Sequence, residues 1–370
     1  MARAVIGLCT SLSRLDGLEI RILTQGISSK PIFRGKFDEN RLLIATSDSK
    51  YTMQTGYLFK RFLINEIEKN RPDILHDNGL WLPANHIVAN VARNYGIPYA
   101  LHPHGMMEPW SMQYRSIKKK FAWMLYQKRN LNSVTAFFAT STAEARHIRE
   151  LGFKQPISVV PNGVDGPPNG ILEPPKKEKN RVRHAVFMSR IHPKKGLMNL
   201  LLAWSMEKRY GWKLILAGPD EGGHLAEVLN RANDLGLSED IEYRGVVDGD
   251  SKDRLLREAD LFVLPSFSEN FGVVIAEALA YGIPVISTMG TPWQGLVENK
   301  CGWWVSAEVE ALAAALKEAM TLNDQERHKM AIRAQKYSRE FNWNQIASEI
   351  ADVYRWLLGL ADRPGSVRLD

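Results

Sequence analysis

The sequence predicts an α/β protein that contains two doubly wound parallel sheets with helices on both faces. Short apolar runs alternate with amphipathic helical segments along the chain, which is the pattern of parallel strands joined by crossover helices. The alternation is interrupted by a stretch rich in proline and lysine at residues 166–180 and then begins again. A length of 370 residues allows two or three domains with cores of their own. We therefore expect one sheet on each side of that stretch.

Charge and composition narrow the class of protein. The chain carries 48 basic and 41 acidic side chains, and its net charge of +7 favours anionic partners such as nucleotide diphosphates, an anionic lipid surface or nucleic acid. It contains no run of about 18 apolar residues, and the N-terminus lacks the pattern of a signal peptide. The two cysteines, Cys9 and Cys301, lie far apart and outside metal-ligand spacing. These features favour a reducing, cytoplasmic setting.

The first half of the chain begins with a predicted helix, because Val5, Leu8, Leu12 and Leu15 recur at helical spacing before the first strand. Strands are predicted at Glu19–Thr24, Ile74–Asp77, Tyr99–His102, Ala136–Thr140 and Ile157–Val160. Further helices are predicted at residues 54–69, 84–95, 115–130 and 142–151. A turn ending at Asp165 closes this domain, which we assign to residues 1–165.

The second half starts a new sheet after the linker at residues 166–180. Its strands are predicted at Ala185–Ser189, Lys213–Ala217, Ile241–Gly245, Ala259–Leu264 and Val285–Ser287. We assign residues 181–340 to this domain and residues 341–370 to a C-terminal helical segment. Apolar residues of that segment share one helical face and must pack on another surface: Ile346, Ile350, Val353, Trp356 and Leu357.

Two carboxylates, Glu269 and Glu277, stand eight residues apart across a predicted loop-to-helix junction. Residues 266–272 form a loop at the carboxyl end of the strand Ala259–Leu264, and Val273–Tyr281 is predicted to be a helix. In α/β sheets, ligands bind at the carboxyl ends of strands. Carboxylates accept hydrogen bonds from sugar hydroxyls, and a helix N-terminus favours phosphate. These groups together suit a nucleotide sugar.

The run from Ser266 to Ile286 resembles the E-x7-E signature of the retaining glycosyltransferases of family 4. The resemblance implies the GT-B fold, in which two Rossmann-like domains face each other across a cleft and the last helix crosses back to the first domain. It also implies transfer of a sugar with retention of anomeric configuration, without a metal ion or other cofactor. Arginine, lysine and a helix N-terminus would take the role that Mg²⁺ plays elsewhere.

The same resemblance implies roles for individual residues of the motif. Glu277 would bind the ribose hydroxyls and Glu269 the donor sugar at the reacting centre. Asn270 would contribute to the sugar and nucleotide site. The backbone amides of Phe271 and Gly272 would stabilise the leaving diphosphate at the helix N-terminus.

Arg190 and Lys195 follow the first predicted strand of the second domain. A planar guanidinium and a compact ammonium at the end of a strand suit a diphosphate whose charge grows as the sugar leaves. The run from Ser189 to Leu197 resembles the R-x4-K-G motif of family 4, which implies that both side chains contact the donor phosphates. A solvated basic loop is the alternative.

Two histidines close a strand of the first domain, His102 at its end and His104 just before Gly105. In family 4 a histidine in this position contacts the donor sugar near the reacting carbon. The resemblance therefore implies a catalytic role for His104, with His102 as the second candidate. A structural histidine in a turn is the alternative.

Two more loops of the second domain resemble segments that lie near the nucleotide in family 4. Asp220 follows the strand Lys213–Ala217, where it either contacts the nucleotide or caps the next helix. Val246 lies in the segment 243–247, whose backbone is implied to read the base. The D-x-D sequence of Asp248 and Asp250 matches a metal-binding pattern of other transferases, but a turn and helix N-cap explain it. We therefore expect no metal site.

A basic amphipathic helix is predicted around residues 115–125. Its apolar residues are expected to face the core, with the lysines at 118–120 directed to solvent: Ile117, Phe121, Met124 and Leu125. A solvated face is one interpretation of the lysines. Docking to anionic membrane lipid or to a polyprenyl-phosphate acceptor is the other.

The N-terminus departs from the family pattern, in which a strand and a Gly-Gly loop precede the first helix. Residues 2–15 resemble that helix, so the first strand and its glycine-rich loop are predicted to be missing. One hypothesis is that Met1 is a truncated or mis-assigned start. The alternative is an atypical N-terminal domain.

The sequence thus predicts a glycosyltransferase that moves a sugar from a nucleotide-diphosphate sugar to a glycan or lipid-linked acceptor, in cell-surface polysaccharide or glycolipid synthesis. Peripheral contact with anionic membrane, at the inner face of the plasma membrane, is part of this expectation, and contact with nucleic acid is not. Two alternatives remain: a nucleotide-sugar epimerase of the same fold, and a non-catalytic nucleotide-binding remnant.

Overall fold

A computed structural model describes most of the chain. The described residues are 2–26, 37–38, 41–46, 56–113, 116–168, 181–207 and 211–370. The chain divides into unit 1, made of Met1–Gly163 and Trp343–Asp370, and unit 2, made of Val164–Asn342. Most of the predicted linker at 166–180 lies outside the described residues.

The predicted α/β class is confirmed, because parallel strands alternate with helices in both units. The strands are β1 Ile22–Gly26, β2 Leu42–Thr46, β3 Leu75–Asn78, β4 Tyr99–His102, β5 Ala136–Ala139, β6 Ile157–Val159, β7 Arg183–Met188, β8 Trp212–Ala217, β9 Ile241–Tyr243, β10 Ala259–Leu264, β11 Val285–Thr288, β12 Gly302–Val305 and β13 Val367–Arg368. The predictions missed β2, β12 and β13, which have only five, four and two residues.

The helices occupy the connections between strands. They are α1 Ala2–Leu12, α2 Tyr57–Lys69, α3 Pro83–Tyr95, α4 Pro109–Gln113, α5 Ser116–Ala122, α6 Lys128–Asn132, α7 Thr142–Glu150, α8 Leu197–Met206, α9 His224–Asp234, α10 Gly249–Glu258, α11 Val273–Ala280, α12 Gly295–Glu298, α13 Val309–Thr321, α14 Asp324–Ser338 and α15 Trp343–Leu357. Among the residues described, no helix is both long and apolar enough to span a membrane.

Unit 1 contains two sheets. One is the parallel pair β1–β2, and the other has the order β13-β6-β5-β4-β3, in which only β13 is antiparallel. Leu23 of β1 and Leu75 of β3 contact the same apolar cluster, although no ladder joins these two strands in the described part of the chain. Within those residues, β1 and β3 each have one edge without a neighbouring strand.

The first and last helices of the chain pack together in unit 1. Leu8 and Leu12 of α1 share a buried cluster with Ile346, Ile350 and Val353 of α15. This cluster also contacts the sheet through the buried side chains of β4 and β5. The apolar periodicity of both helices therefore marks the faces that build this core.

Unit 2 is a six-stranded parallel sheet with the order β12-β11-β10-β7-β8-β9. The chain moves outward from β7 to β8 and β9 on one side, then returns to β10 on the other side of β7. The order of strands therefore reverses between β7 and β10. In open α/β sheets such a reversal separates two neighbouring loops at the carboxyl edge and is the preferred place for a ligand.

One prediction about packing is wrong. Ile117, Phe121, Met124 and Leu125 do not face the core, because between 61% and 78% of their surface is exposed. The α5 and α6 helices are joined by a π-helical turn at Trp123–Gln127, and other side chains occupy the inward positions. These inward residues are Trp123, Gln127, Asn130 and Leu131.

Candidate active site

The loops after β7 and β10 lie side by side at the reversal of strand order in unit 2. The backbone N–H of Phe267 donates to the carbonyl of Lys194 at 2.9 Å. Gly196 has φ +70°, and a Cβ on it would lie 2.1 Å from the Pro265 carbonyl oxygen. Only glycine allows this approach of the two loops without displacement. The sequence spacing Lys195-Gly196 therefore fixes a lysine beside the end of β10.

Lys195 and Glu269 form an ion pair across these loops. Their side chains are 8% and 13% exposed, so the pair is largely withdrawn from solvent. The Ser266 hydroxyl donates to the same carboxylate oxygen at 2.7 Å, and the Glu269 N–H donates to the Gly290 carbonyl at 2.8 Å. The structure thus brings together two residues that the sequence placed 74 positions apart.

The N-terminus of α11 adjoins this pair. Gly272 precedes the helix with φ +77°, and a Cβ there would lie 3.7 Å from Cγ of Glu269. Phe271 is buried against Trp293, whose indole N–H donates to the Phe271 carbonyl. Asn270 lies in the same loop. The first amides of a helix have no intrahelical acceptor, so this end presents donors and partial positive charge.

Glu277 lies one to two turns into α11 and is ion-paired with Lys252 of α10 at 2.5 Å. Both side chains are less than a quarter exposed. The neighbouring Asp253 accepts a hydrogen bond from the Tyr281 hydroxyl at 2.6 Å, which ties α10 to the end of α11. Lys252 was not predicted, because nothing in the local pattern distinguishes it from other helical lysines.

Arg190 has a different partner from Lys195. Its guanidinium contacts the Glu221 carboxylate at 2.6 Å, and the two side chains are 59% and 46% exposed. The loops that carry them are paired, since the Glu221 N–H donates to the Ile191 carbonyl at 3.1 Å. Gly218 permits this pairing, because a Cβ on it would lie 1.8 Å from the Ser189 carbonyl oxygen. Arg190 is therefore a solvated charge just beyond the carboxyl end of β7.

The other sequence candidates of unit 2 have structural partners. Asp220 accepts from the Leu225 N–H at 3.0 Å and so caps α9, one of the two functions left open for it. Val246 is 67% exposed beyond β9. Asp248 precedes α10, and its N–H donates to the Ser251 hydroxyl at 3.0 Å, as in a helix cap. In the described chain, no group of three or more His, Cys, Asp or Glu side chains is arranged around a metal.

His104 of unit 1 lies in the loop after β4 with φ +51°, which is uncommon for a residue other than glycine. Its Nε2 is 2.9 Å from Oδ1 of Asn78, so Nε2 donates and Nδ1 is left as an acceptor. Glu144 supports the loop by accepting from the Gly105 N–H at 2.5 Å. Asn78 and Glu144 were not predicted, because their contacts join residues far apart in sequence.

His102 stacks on His104 at 3.9 Å between ring centroids. His76, on the next strand, is hydrogen-bonded through Nδ1 to the Tyr354 hydroxyl at 2.6 Å. Burial lowers the pKa of His76 to about 4 and that of His104 to about 3, and it lowers the pKa of His102 well below its usual value. All three imidazoles are therefore neutral near neutral pH.

Comparison with protein families gives two matches. The description "Glycosyltransferase Family 4" matches residues 1–166, and "Glycosyl transferases group 1" matches residues 172–337. The two matches together cover most of both units.

Individual relatives are distant. Glycogen synthase from Mycobacterium tuberculosis is 25% identical over 294 residues, which are 77% of this chain and 69% of that protein. Phosphatidyl-myo-inositol mannosyltransferase from Mycobacterium leprae is 31% identical over 174 residues, which are 46% of this chain and 45% of that protein. The second comparison therefore covers less than half of each chain.

Two solved structures share the fold. Sucrose-phosphate synthase from Thermosynechococcus elongatus has a TM-score of 0.75 at 18% identity, covering 96% of this chain and 92% of that one. Anabaena Alr3699/HepE, solved in complex with UDP and glucose, has a TM-score of 0.67 at 20% identity, covering 90% and 99%. At these identities the similarity is one of fold.

Proposed function

Because the chain belongs to the family 4 glycosyltransferases and has the GT-B fold, we propose that it transfers a sugar from a nucleoside-diphosphate sugar to an acceptor, with retention of anomeric configuration. The observation that carries this proposal is the pairing of Lys195 with Glu269 at the reversal of strand order, beside the N-terminus of α11. It supplies a cation, a carboxylate and helix amides within one small region.

The groups of this region divide between the parts of a nucleotide sugar. We assign Lys195 and the amides of Phe271 and Gly272 to the leaving diphosphate, because cations and a helix N-terminus stabilise growing negative charge. Arg190 supplies a second, solvated cation at the same edge of the sheet. Glu269 accepts hydrogen bonds from the donor sugar with Asn270 beside it, and no protein nucleophile is invoked.

The nucleoside is assigned to the loops on either side of Glu277. This carboxylate accepts the ribose hydroxyls, and Lys252 holds it in place through their ion pair. The backbone near Val246 contacts the base. Asp220 acts through the cap that it forms on α9, which fixes the loop facing the nucleotide. Since Lys195, Arg190 and α11 supply positive charge, we propose a metal-independent reaction.

In unit 1 we assign His104 to a sugar hydroxyl. Its Nε2 donates to Asn78, so Nδ1 accepts a hydrogen bond from the hydroxyl. Its lowered pKa keeps the ring neutral, so we assign it to hydrogen bonding and not to proton donation.

Relatives suggest where to look for the substrates. One solved protein of this fold holds UDP and glucose, which makes UDP the first nucleotide to test. Other relatives include a phosphatidyl-myo-inositol mannosyltransferase and WaaG, a glycosyltransferase involved in lipopolysaccharide biosynthesis. We therefore propose a glycan or lipid-linked acceptor of cell-surface polysaccharide or glycolipid synthesis.

Calorimetric titration of the whole chain with UDP, GDP and ADP tests the donor site. We expect one of the three to bind and the variant Arg190→Ala/Lys195→Ala to bind it at least about tenfold more weakly, since two charge-assisted contacts are lost. The variant Lys317→Ala, which alters an exposed lysine of unit 2, serves as the matched control and should bind normally.

Two further results would contradict the proposal. Folded protein that binds none of the three nucleotides would remove the donor site. Release of an epimerised free sugar without any acceptor would replace transfer by epimerisation. With a sugar donor identified by the titration, NMR of the anomeric proton of the product tests retention.

A further inference from the structure

The segment formed by α5, the π-helical turn and α6 exposes large apolar side chains beside basic ones. Four large apolar side chains of this segment are 61% to 78% exposed: Ile117, Phe121, Met124 and Leu125. Four basic side chains of the same segment are also exposed: Lys118, Lys120, Lys128 and Arg129. We call these eight residues the apolar–basic face. Single exposed apolar residues are common, but a group of this size on one short segment marks an interaction site.

The orientation of this face is fixed by packing on the opposite side of the helix. The ring of Trp123 lies 6.4 Å from that of Trp81 and 5.9 Å from that of Phe153. Gln127 and Leu131 are buried one and two turns later. Because these inward residues follow the helical repeat, the opposite side of the helix points outward, and Met124, Leu125, Lys128 and Arg129 are exposed there. The exposed apolar group therefore belongs to an anchored helix.

The charge around the face has one sign. Between residues 109 and 143 the sequence contains six lysines and arginines and no aspartate or glutamate. Lys119 is the exception in orientation, because its ammonium donates to the Ser111 carbonyl and lies 5.3 Å from the centre of the Trp81 ring. The other lysines of the run extend to solvent beside the apolar side chains.

We propose that the apolar–basic face docks on an anionic lipid bilayer. Apolar side chains on a helix that lies in the membrane plane enter the boundary of the acyl chains, and flanking lysines and arginines contact the anionic headgroups. Both kinds of group are present on this one segment. A second copy of the chain fits less well, because a symmetric contact would place the same lysines against each other.

The docking does not depend on the proposed function. It positions a transferase beside an acceptor held in the membrane, yet lipid binding is measurable without donor or acceptor. Vesicle binding that persists while the nucleotide titration fails would therefore leave the docking standing, and the reverse outcome would leave the donor site standing.

Co-sedimentation of the whole chain with vesicles tests the proposal. We compare vesicles of phosphatidylcholine alone with vesicles that contain about one third phosphatidylglycerol. The wild-type chain should bind the anionic vesicles at least about tenfold more strongly, and binding should weaken as salt is added, because added ions screen the charges.

Two variants separate the apolar contribution to vesicle binding from the electrostatic contribution. Met124→Ser/Leu125→Ser removes apolar contacts, and Lys118→Glu/Lys120→Glu reverses the charge without altering the half-buried Lys119. Each should lower binding to anionic vesicles at least about fivefold. Matched controls are Leu360→Ser for an exposed apolar residue and Lys317→Glu/Lys336→Glu for exposed lysines. Both controls should bind as the wild type does.

Three outcomes would overturn the proposal. The first is equal binding to neutral and anionic vesicles, and the second is unchanged binding by both test variants while their thermal unfolding matches that of the wild type. The third is a concentration-dependent dimer, seen by light scattering, that Met124→Ser/Leu125→Ser abolishes, because the face would then join two copies of this chain.

Discussion

The ammonium of Lys195 is paired with the carboxylate of Glu269, with neither side chain more than 13% exposed. Lys195, which we propose binds the diphosphate, and Glu269, which we propose binds the sugar, therefore neutralise each other before a donor enters. A diphosphate must compete with Glu269 for the ammonium of Lys195. When the diphosphate takes the ammonium, the carboxylate becomes available to the sugar. The first prediction tests this exchange of Glu269 for the diphosphate as the partner of Lys195.

Glu269→Gln should bind the nucleoside diphosphate more tightly than the wild type, by about threefold to tenfold, and should transfer sugar much more slowly. The substitution removes a negative charge that competes for Lys195 while keeping the shape of the side chain. Calorimetry measures the first effect and initial rates the second. Glu318→Gln, at an exposed position of α13, is the control. Weaker nucleotide binding by Glu269→Gln would contradict the exchange.

Glu277→Gln should reduce discrimination between the bound nucleotide and its 2′-deoxy analogue. In the wild type, loss of the 2′-hydroxyl should weaken binding by about tenfold or more, since a hydrogen bond to a carboxylate is lost. In the variant the two dissociation constants should lie within about threefold. If the variant kept the full discrimination, Glu277 would not contact the ribose.

Gly196→Ala should destabilise unit 2 far more than Gly236→Ala does. Both glycines have positive φ, +70° and +66°, so both substitutions carry the strain of a left-handed conformation, about 1–2 kcal/mol. Only at Gly196 would the new Cβ meet backbone, 2.1 Å from the Pro265 carbonyl, whereas nothing lies within 4 Å of one at Gly236. Urea unfolding should show an additional loss of at least about 2 kcal/mol for Gly196→Ala. Equal losses would show that the two loops are not held in contact.

The free energy of unfolding of unit 1 should fall as the pH drops from about 6.5 towards 4. Burial lowers the pKa of His76 from 6.5 to about 4 and that of His104 from 6.5 to about 3, so unfolding takes up protons at pH values between 6.5 and these folded values. Stability from this source is present above pH 6.5 and is lost as the pH falls towards the folded values. Burial raises the pKa of Asp77 to about 6 and also raises the pKa of Glu349. Both shifts act in the opposite direction, but two carboxyls oppose three histidines.

His102→Phe tests this account. Within the described residues, neither ring nitrogen of His102 has a hydrogen-bond partner, so phenylalanine removes a titrating group at little cost in contacts. The pH slope of the unfolding free energy should decrease by up to about 1.4 kcal/mol per pH unit. His328→Gln, at an exposed position of unit 2, should leave the slope unchanged.

Chelation should leave transfer unaffected. Because Lys195, Arg190 and the N-terminus of α11 supply the positive charge, excess EDTA should change the initial rate by less than about twofold. A loss of activity restored by Mg²⁺ or Mn²⁺ would instead assign a metal to the reaction, and Asp248→Asn and Asp250→Asn would then be the variants to examine.

Local pattern was enough to predict many elements but not the contacts between them. Strand β4 was predicted with both of its boundaries, because its apolar run is bounded by clear turn signals. The orientation of α5 was predicted wrongly, since a stripe of apolar residues is also what an exposed interaction surface looks like. Periodicity locates a face but does not say what covers it, and here Trp123 occupies the inward side.

The candidate site shows the same division. The motif residues Lys195 and Glu269 could be named from sequence, but their mutual pairing could not, because it depends on the strand order β10-β7. No motif or spacing in the sequence pointed to Lys252, Asn78 or Glu144. Each supports a candidate residue across the fold, and such partners are determined by tertiary packing and not by spacing along the chain.

Unit 1 is made of two separate parts of the chain, and this has a consequence for its biosynthesis. Its buried cluster needs Ile346, Ile350 and Val353, which leave the ribosome after the whole of unit 2 has been made. Unit 2 is continuous in sequence, so it can complete its core first. The nascent chain must therefore carry an unfinished N-terminal half for most of its synthesis, which exposes that half to chaperones and proteases for longer than its length alone would suggest.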